Sequence, residues 1–510
     1  MFPWPNVSAA LEPTVRPRAP SGVLRACGVF DSGWFRLVAF IGVTPALVRA
    51  LPQDQFGALL LAGAAAQAIG WPIYGIAAET SRRMTATFTV GNLGRARQIA
   101  IHGALVGSIM AFVAALLLLA GGFAVTDASP GSASPNHWAV LLTKATALRL
   151  FLEILTCTAA AALDGLAQVS TRRALRGLAA VLEVGAVFIA VAADASAADL
   201  ARTGAQVAVI VLILHWIVLM PLFASRVEQR FHFELPLAAD LLQGMAQPLA
   251  PMAILATLMA IDVVAAGLFC GLNTALVLAI AFASARRLSE FAQPSVDLLV
   301  PTFSDLALRQ NQVQARWTWR RTMDAIVLSS TALALPILVF GKAIAERWLS
   351  LKWPIGVGSA VALLILGAAP VAVAWRCAAR GEMRALPVRA SALHIAVHLI
   401  LLCALLPWLG VAGVAWAAAL AQLSSASWLL PLRICRHLEI DGKKFVLSRT
   451  WRIALPIAPA AITALVFAQV KQMRNVHDLL VQLGVTLILH AVFGFAAWFL
   501  LETRPEYDID

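Results

Sequence analysis

Charge is what this chain has least of. Asp, Glu, Lys and Arg make up 13% of its 510 residues, about half the share of an ordinary soluble domain. Hydrophobic residues account for 60% and the mean hydropathy is +0.82, which excludes a soluble globular fold. The net charge of +12 does not point to nucleic acid, because no soluble basic domain exists to carry it. The six cysteines lie in or beside apolar stretches and none forms CxxC. They read as small core residues, not as a disulfide framework or zinc ligands. Residues 1–30 have no clean apolar core followed by a cleavage site, so they read as a short disordered or surface-lying tail, not a signal peptide. P-loop, GxSxG and strand-linked GxGxxG motifs are missing, which leaves ATP drive and hydrolase chemistry unsupported. HExxH is missing too. His394 and His398 stand i,i+4 with no carboxylate at matching spacing, so they read as packed or pore-lining histidines and no metal or other cofactor is expected.

What the chain does have is apolar runs of spanning length. They predict membrane helices near 31–50, 56–78, 98–123, 138–163, 177–195, 203–224 and 238–261, then 268–300, 322–341, 356–375, 390–407, 411–431, 453–470 and 479–501. The expected fold is therefore an all-α polytopic membrane protein with about 14 spans. Basic residues set its orientation. With the N-terminus inside, 27 of the 39 Lys and Arg fall on the cytoplasmic side, seven outside and five within spans, in keeping with the positive-inside rule. Lys342–Lys352 is the one outer loop with three basic residues. Both termini are expected to be cytoplasmic. Trp317, Trp319, Trp348, Trp353 and Trp408 fall at span ends and suggest an interfacial belt.

The five basic residues inside spans are Arg36, Lys144, Arg149, Arg286 and Arg287. Left unpaired they would together cost roughly 12–17 kcal/mol on an insertion scale. The spans also carry Asp31, Glu153, Glu183, Asp262, Glu290 and Asp297. Arg149–Glu153 and Arg286–Glu290 are i,i+4 neighbours and Arg287–Glu290 is i,i+3, so each pair shares a helix face. Local pairing is one reading. The other is a wet cationic lining, because arginine forks bind pyrophosphate well. Arg287, Arg286, Arg149, Arg36 and Lys144 are then candidate substrate contacts, with Lys144 also able to snorkel to the outer surface. Glu290, Glu153, Glu183 and Asp31 are candidates for ion coupling or charge pairing. Asp262, at the outer end of the seventh span, reads as interfacial. The segment Leu272–Asp305 is expected to bend at Pro294 and Pro301 and to point inward.

A weak internal repeat relates 90–122 to 309–341 and 163–185 to 379–398, at offsets near 219 and 216. It suggests two six-helix halves and two extra helices, a frequent transporter plan. The domain reading is a cytoplasmic tail at 1–30, a lobe at 31–224, a cytoplasmic linker at 225–237 and a lobe at 238–432. A cytoplasmic loop and two extra helices fill 433–501, and a cytoplasmic tail fills 502–510.

Four stretches carry a family resemblance. They are RALPQDQFGALLLAGAAAQAIGWPIYGIAAETSRR (49–83), AAALDGLAQVSTRRALRG (160–177), AIDVVAAGLFCGLNTALVLAIAFASARRLSEF with Pro301, and WLGVAGVAWAAALAQLSSASWLLPLRICR (408–436). They resemble the polysaccharide transporter, or O-antigen flippase (Wzx-type), branch of the multidrug/oligosaccharidyl-lipid/polysaccharide exporter superfamily. Arg287-Leu288-x-Glu290-Phe291 also resembles a string in the peptidoglycan lipid flippases, where the arginine lines the cavity. The resemblance implies two lobes around a central cavity that alternates between leaflets of the inner membrane. The implied cargo is a short oligosaccharide of O-antigen or exopolysaccharide on an undecaprenyl pyrophosphate carrier. Membrane lipids, a polysaccharide polymerase and chain-length machinery are the implied partners.

Two other classes compete. A membrane polymerase or glycosyltransferase would be expected to present catalytic residues on a large outer loop. The longest outer loop, Val125–His137, is only a linker in composition. A multidrug antiporter of the same superfamily would rest on Glu153 or Glu183, and a cationic cavity is a poor host for cationic drugs. The basic asymmetry makes a direct prediction. In intact cells Ser132→Cys is labelled by an impermeant thiol reagent and Ser448→Cys is not; the reverse pattern refutes the orientation.

Overall fold

The computed structural model describes residues 33–127, 137–224, 232–244, 251–291, 312–378, 385–470 and 475–502. Every regular element among them is helical. In chain order they are α1 (Gly33–Ala50), α2 (Gln53–Thr89), α3 (Leu93–Asp127), α4 (His137–Gly165), α5 (Val169–Ala192) and α6 (Ala197–Ala224). Then come α7 (Leu235–Gly244), α8 (Pro251–Cys270), α9 (Leu272–Phe291), α10 (Gln312–Ala343), a π-turn (Ile344–Trp348) and α11 (Val357–Ala378). The rest are α12 (Ala385–Ser424), α13 (Ala426–His437), α14 (Gly442–Val470) and α15 (Val476–Glu502). Among the described residues eight helices are long and apolar enough to cross a membrane, or nine if the bent α2 counts as one span. This is an all-helical multi-span membrane protein.

The differences from the expected spans have local causes. The second helix does not stop at 78 but runs to Thr89, 37 residues in all or about 55 Å, so Glu79, Arg82 and Arg83 continue an apolar helix. It bends by 47° between Gln53–Gly70 and Ile73–Thr89, at the step where the sequence places Pro72, which has no N–H to give. Conversely, α12 is nominally one 40-residue helix but breaks at Gly410 (φ 54°, ψ −129°). Only glycine holds such a backbone without strain. A Cβ at Gly413 would collide with the Leu405 carbonyl, so the chain reverses there, between the spans expected at 390–407 and 411–431. The expected bend at Pro294 and Pro301 lies outside the described residues, as do Asp31, Asp297 and the two chain ends.

Within the first part of the chain α4 packs on α2, α3 and α6, α5 packs on α6, and α1 packs on α5. In the second part α8, α9, α10, α12 and α13 all pack on α11. The two parts meet where α2 lies against α8 and α9 and where α1 reaches α9. Helices α14 and α15 pack on each other and against α10. The largest buried apolar cluster spans the junction, joining Leu51 and Phe56 to Val263, Leu276 and Val357. One polar contact pins the same end, with Arg49 Nη2 donating to the Trp348 carbonyl at 3.1 Å, and Gly57 packs closely against the Leu272 backbone there.

The aromatic belt is partial. Trp408 and Trp317 are 86% and 56% exposed as interfacial residues should be, but Trp319 and Trp353 are buried in the core clusters. Only one of the four described cysteines, Cys435, is buried; Cys270 and Cys403 are exposed on the apolar surface and none is disulfide-bonded. The expectation of core cysteines is corrected for those two.

The contact at Gly57 can be tested. A Cβ there would stand 2.5 Å from the Leu272 carbonyl oxygen, and backbone cannot move aside as a side-chain tip can. Gly57→Val should lower stability by about 1–3 kcal/mol, read as a drop in thermal midpoint in detergent. Gly63→Val, with open space around it, should leave the midpoint nearly unchanged; equal effects would rule out the close approach.

Candidate functional site

A cavity of about 710 Å³ lies between α1, α2, α4, α5, α6, α8 and α9. Much of its wall is alanine, leucine and valine, as the composition of these helices dictates. The exceptions are charged. Arg36 of α1, Arg149 and Glu153 of α4, Glu183 of α5, and Arg286 and Arg287 of α9 all line it. Six of the candidate residues chosen from the sequence for their cost in lipid thus share one cavity. Tyr74 and Gln67 of α2 add polar groups to the same wall.

The ion pairs expected from spacing are formed. Arg149 Nε donates to Glu153 Oε1 at 2.6 Å, one turn on. Arg286 Nε lies 3.4 Å from Glu290 Oε1, and Arg287 Nη1 donates to Glu290 Oε2 at 2.9 Å. One carboxylate therefore serves two guanidiniums. A further bond crosses between helices, with Arg149 Nη2 donating to Glu183 Oε1 at 3.0 Å. Arg149 so bridges two carboxylates and ties α4 to α5. Room for its guanidinium comes from Gly204 of α6, where a Cβ would stand 2.7 Å from Arg149 Nη1. These side chains are about 28–49% exposed, open to the cavity and not sealed in apolar core.

Lys144 does not line the cavity. It is an exposed residue of α4, one and a half turns from Arg149, in keeping with a snorkelling side chain. Glu290 does not line the wall itself but neutralises the residues that do.

Two clusters escaped the sequence reading. Glu79 is fully buried and bonded by Arg82 (Nε–Oε2, 2.7 Å) and Arg83 (Nε–Oε1, 2.6 Å). Arg83 reaches on to Asp240 of α7 at 3.2 Å, and Gly244 sits against the Glu79 carboxylate. Arg95 of α3 pairs with Glu234 at 2.5 Å just before α7, so the start of the second part is fastened to α2 and α3. The i,i+3 and i,i+4 spacing around Glu79 is the signal for it in the sequence, on a helix that runs past the expected end at 78. The second cluster corrects the placement of Asp262, which is not interfacial. It is fully buried, and its Oδ1 is hydrogen-bonded to His398 Nε2 at 2.8 Å. Both histidines of the i,i+4 pair are packed, at 3% and 1% exposure, and among the described residues no three His, Cys, Asp or Glu side chains are placed to hold a metal ion.

This fold is that of a known class of membrane transporter. No family model matches the chain, and no curated protein matches it. Solved structures do. The inward-facing conformation of a multidrug resistance MATE family transporter of the MOP superfamily superposes with a TM-score of 0.59 at 12% identity, over 83% of this chain and 98% of that one. The lipid II flippase MurJ in an inward closed conformation gives 0.56 at 12% identity, over 93% and 99%. An outward-facing MATE structure gives 0.53 at 12% identity, over 82% and 96%. The chain has the MATE/MurJ-like fold, and both kinds of neighbour are transporters rather than enzymes.

The bridged arginine yields a stability prediction. Replacing Arg149 with Met leaves Glu153 and Glu183 facing each other without their cation. The groups are open to the cavity, so solvent screening limits the loss to about 1 kcal/mol. Adding Glu183→Gln should recover part of it by removing like-charge repulsion. A thermal melt of the three proteins checks this, and a Glu183→Gln addition that only lowers the midpoint further would exclude the bridge.

Proposed function

We propose that the protein is an alternating-access transporter that flips undecaprenyl-pyrophosphate-linked oligosaccharide units, of O-antigen or exopolysaccharide, from the cytoplasmic to the periplasmic leaflet of the inner membrane. The supporting observation is the arginine-lined cavity. Four guanidiniums (Arg36, Arg149, Arg286 and Arg287) face it; Arg149 is paired with Glu153 and Glu183, and Arg286 and Arg287 share the one carboxylate of Glu290. A pyrophosphate, with pairs of non-bridging oxygens on each phosphorus, suits such planar forks, and the MurJ-like fold supports a lipid-linked cargo. In this reading residues 31–224 and 238–432 are the two six-helix lobes of a fourteen-span protein with both termini cytoplasmic, and α14 and α15 are the extra pair. Membrane lipids, a polymerase and chain-length machinery remain its proposed partners. Transport needs no ATP site.

Besides the MATE-like fold, the multidrug antiporter reading is favoured by the presence of Glu153 and Glu183 on the wall. Both are already held by Arg149, so neither offers a cationic drug an unengaged carboxylate.

Arg287, supported by Arg286, is the proposed contact for the cargo's anionic head. Glu290 carries one charge and is shared between both arginines, leaving a cation in surplus. Arg287→Ala should abolish surface polysaccharide at matched protein level, and Arg287→Lys should restore it only in part because the fork is lost. Full activity in the double exchange Arg287→Glu with Glu290→Arg would leave a structural ion pair and sink the contact.

A further inference from the structure

The helix α8 has two working faces. Ala256, Met259, Ala260 and Val263 form an i, i+3, i+4, i+7 stripe on the cavity wall. Asp262 lies off that stripe by roughly 110° at 3.6 residues per turn, and points instead to α12, where His398 Nε2 meets its Oδ1 at 2.8 Å. Both side chains are essentially inaccessible, at 0% and 1%. The remaining polar atoms of the pair, Asp262 Oδ2 and His398 Nδ1, have no hydrogen-bond partner. One turn away on α12, His394 Nδ1 donates to Ser425 Oγ at 2.9 Å, because the hydroxyl's own proton is given to the Ala421 carbonyl. The outer nitrogen of His394, Nε2, is likewise unpartnered and buried. The two imidazoles stand 6.1 Å apart, centroid to centroid.

A carboxylate and an imidazole sharing one proton are neutral as a pair, the state that a medium of low dielectric favours. A second proton has one well-defined place to go, the bare Oδ2, giving an imidazolium beside a carboxylic acid with net charge +1. Loss of the shared proton gives a neutral imidazole beside a carboxylate with net charge −1. Either change is costly while the site is dry and becomes accessible when water reaches it. No Arg or Lys takes part: among the described residues the side chain acting on both Asp262 and His394 is His398, with the Ala421 backbone also acting on His394. Arg286, Arg287 and Glu290 of the adjoining α9 and Glu79, Arg82 and Arg83 of the adjoining α2 are engaged in their own pairs.

We propose that Asp262 and His398 form an occluded proton-binding site, with the proton taken at Asp262 Oδ2 and His394 as its neighbouring acceptor. Protonation there alters the α8–α12 contact, and the cavity face of α8 moves with it. The site is separate from Glu290, Glu153 and Glu183, whose carboxylates are spent on arginines. It rests on the transporter reading only for its use in coupling; as a proton site it stands on the geometry alone.

The test uses the full-length protein in lipid vesicles, labelled with ¹⁵N-histidine and titrated with pH, His398→Gln serving to assign the signal. The expected result is a His398 titration step that Asp262→Asn displaces or removes and that added sodium leaves unchanged. In parallel, the rate of thiol labelling at Ala256→Cys, corrected for the parent protein's own cysteines, should depend on pH and lose that dependence in Asp262→Asn. Conservative Asp262→Glu should retain it. A His398 signal constant with pH, or one that sodium shifts as a proton does, overturns the proposal, as does pH-dependent labelling that survives Asp262→Asn. Neither measurement involves cargo, so a wrong cargo would leave this result standing, and a wrong proton site would leave the arginine exchange above unaffected.

Discussion

Placing a charge in a hydrocarbon layer costs several kcal/mol unless it finds a counter-ion or water, and this constraint arranges the interior of the protein. The guanidiniums of Arg149, Arg286 and Arg287 find both. Each has a carboxylate within 3.4 Å or less, and each borders the same cavity. Helices that carry no such charge, α3 and α6 among them, can turn large aliphatic side chains outward; Phe112, Leu117, Ile217 and Met220 are all more than half exposed. The pattern is inside-out relative to a soluble domain. Charge marks the centre and apolar residues mark the rim.

What could be read from the sequence was what depends on one helix at a time. Arg149–Glu153 and Arg287–Glu290 follow from a 3.6-residue repeat and needed no knowledge of the fold. Glu183 as a second partner of Arg149 lies 34 residues away, and its choice depends on how α4 and α5 pack, which spacing does not encode. The same holds for Asp262 and His398, 136 residues apart. The histidine pair was visible as i,i+4, but its carboxylate was sought on the same helix and stood on another. Trp319 and Trp353 were misread for a related reason: a tryptophan near a span end is interfacial only if that end is not covered by neighbours. Gly410 shows the opposite case, since a break between two apolar runs is legible in the sequence and the helix does break there.

The two ends of the bundle are fastened by different chemistry. Near the 51–55 turn the contact is mostly apolar and tight, with Gly57 against Leu272 and the cluster around Phe56 and Val263. At the far end of α2 the contact is ionic, through Glu79, Arg83 and Asp240. Tight apolar packing tolerates little displacement, whereas the exposed Arg83–Asp240 pair can be exchanged for water at small net cost. Because α2 carries both contacts and is bent between them, motion at one end need not be rigidly transmitted to the other.

Under the proposed cargo-binding role, the carboxylates of the cavity wall also have a use. A cavity lined by four unopposed guanidiniums would hold a pyrophosphate tightly, yet would be costly to maintain when empty and slow to release. Glu153, Glu183 and Glu290 remove most of that excess in the empty state. An incoming anion then competes with a carboxylate already on the arginine, so its net gain is the difference between two charge-assisted interactions, not the whole of one. On departure the carboxylate resumes its place and the empty cavity is again nearly neutral. A transporter must cross between its two states both loaded and unloaded, and a ligand shifts that equilibrium only by its differential affinity for them. In the proposed cycle, internal counter-ions keep the unloaded crossing within reach, and Arg286 and Arg287 around the single carboxylate of Glu290 leave positive charge for the cargo to engage.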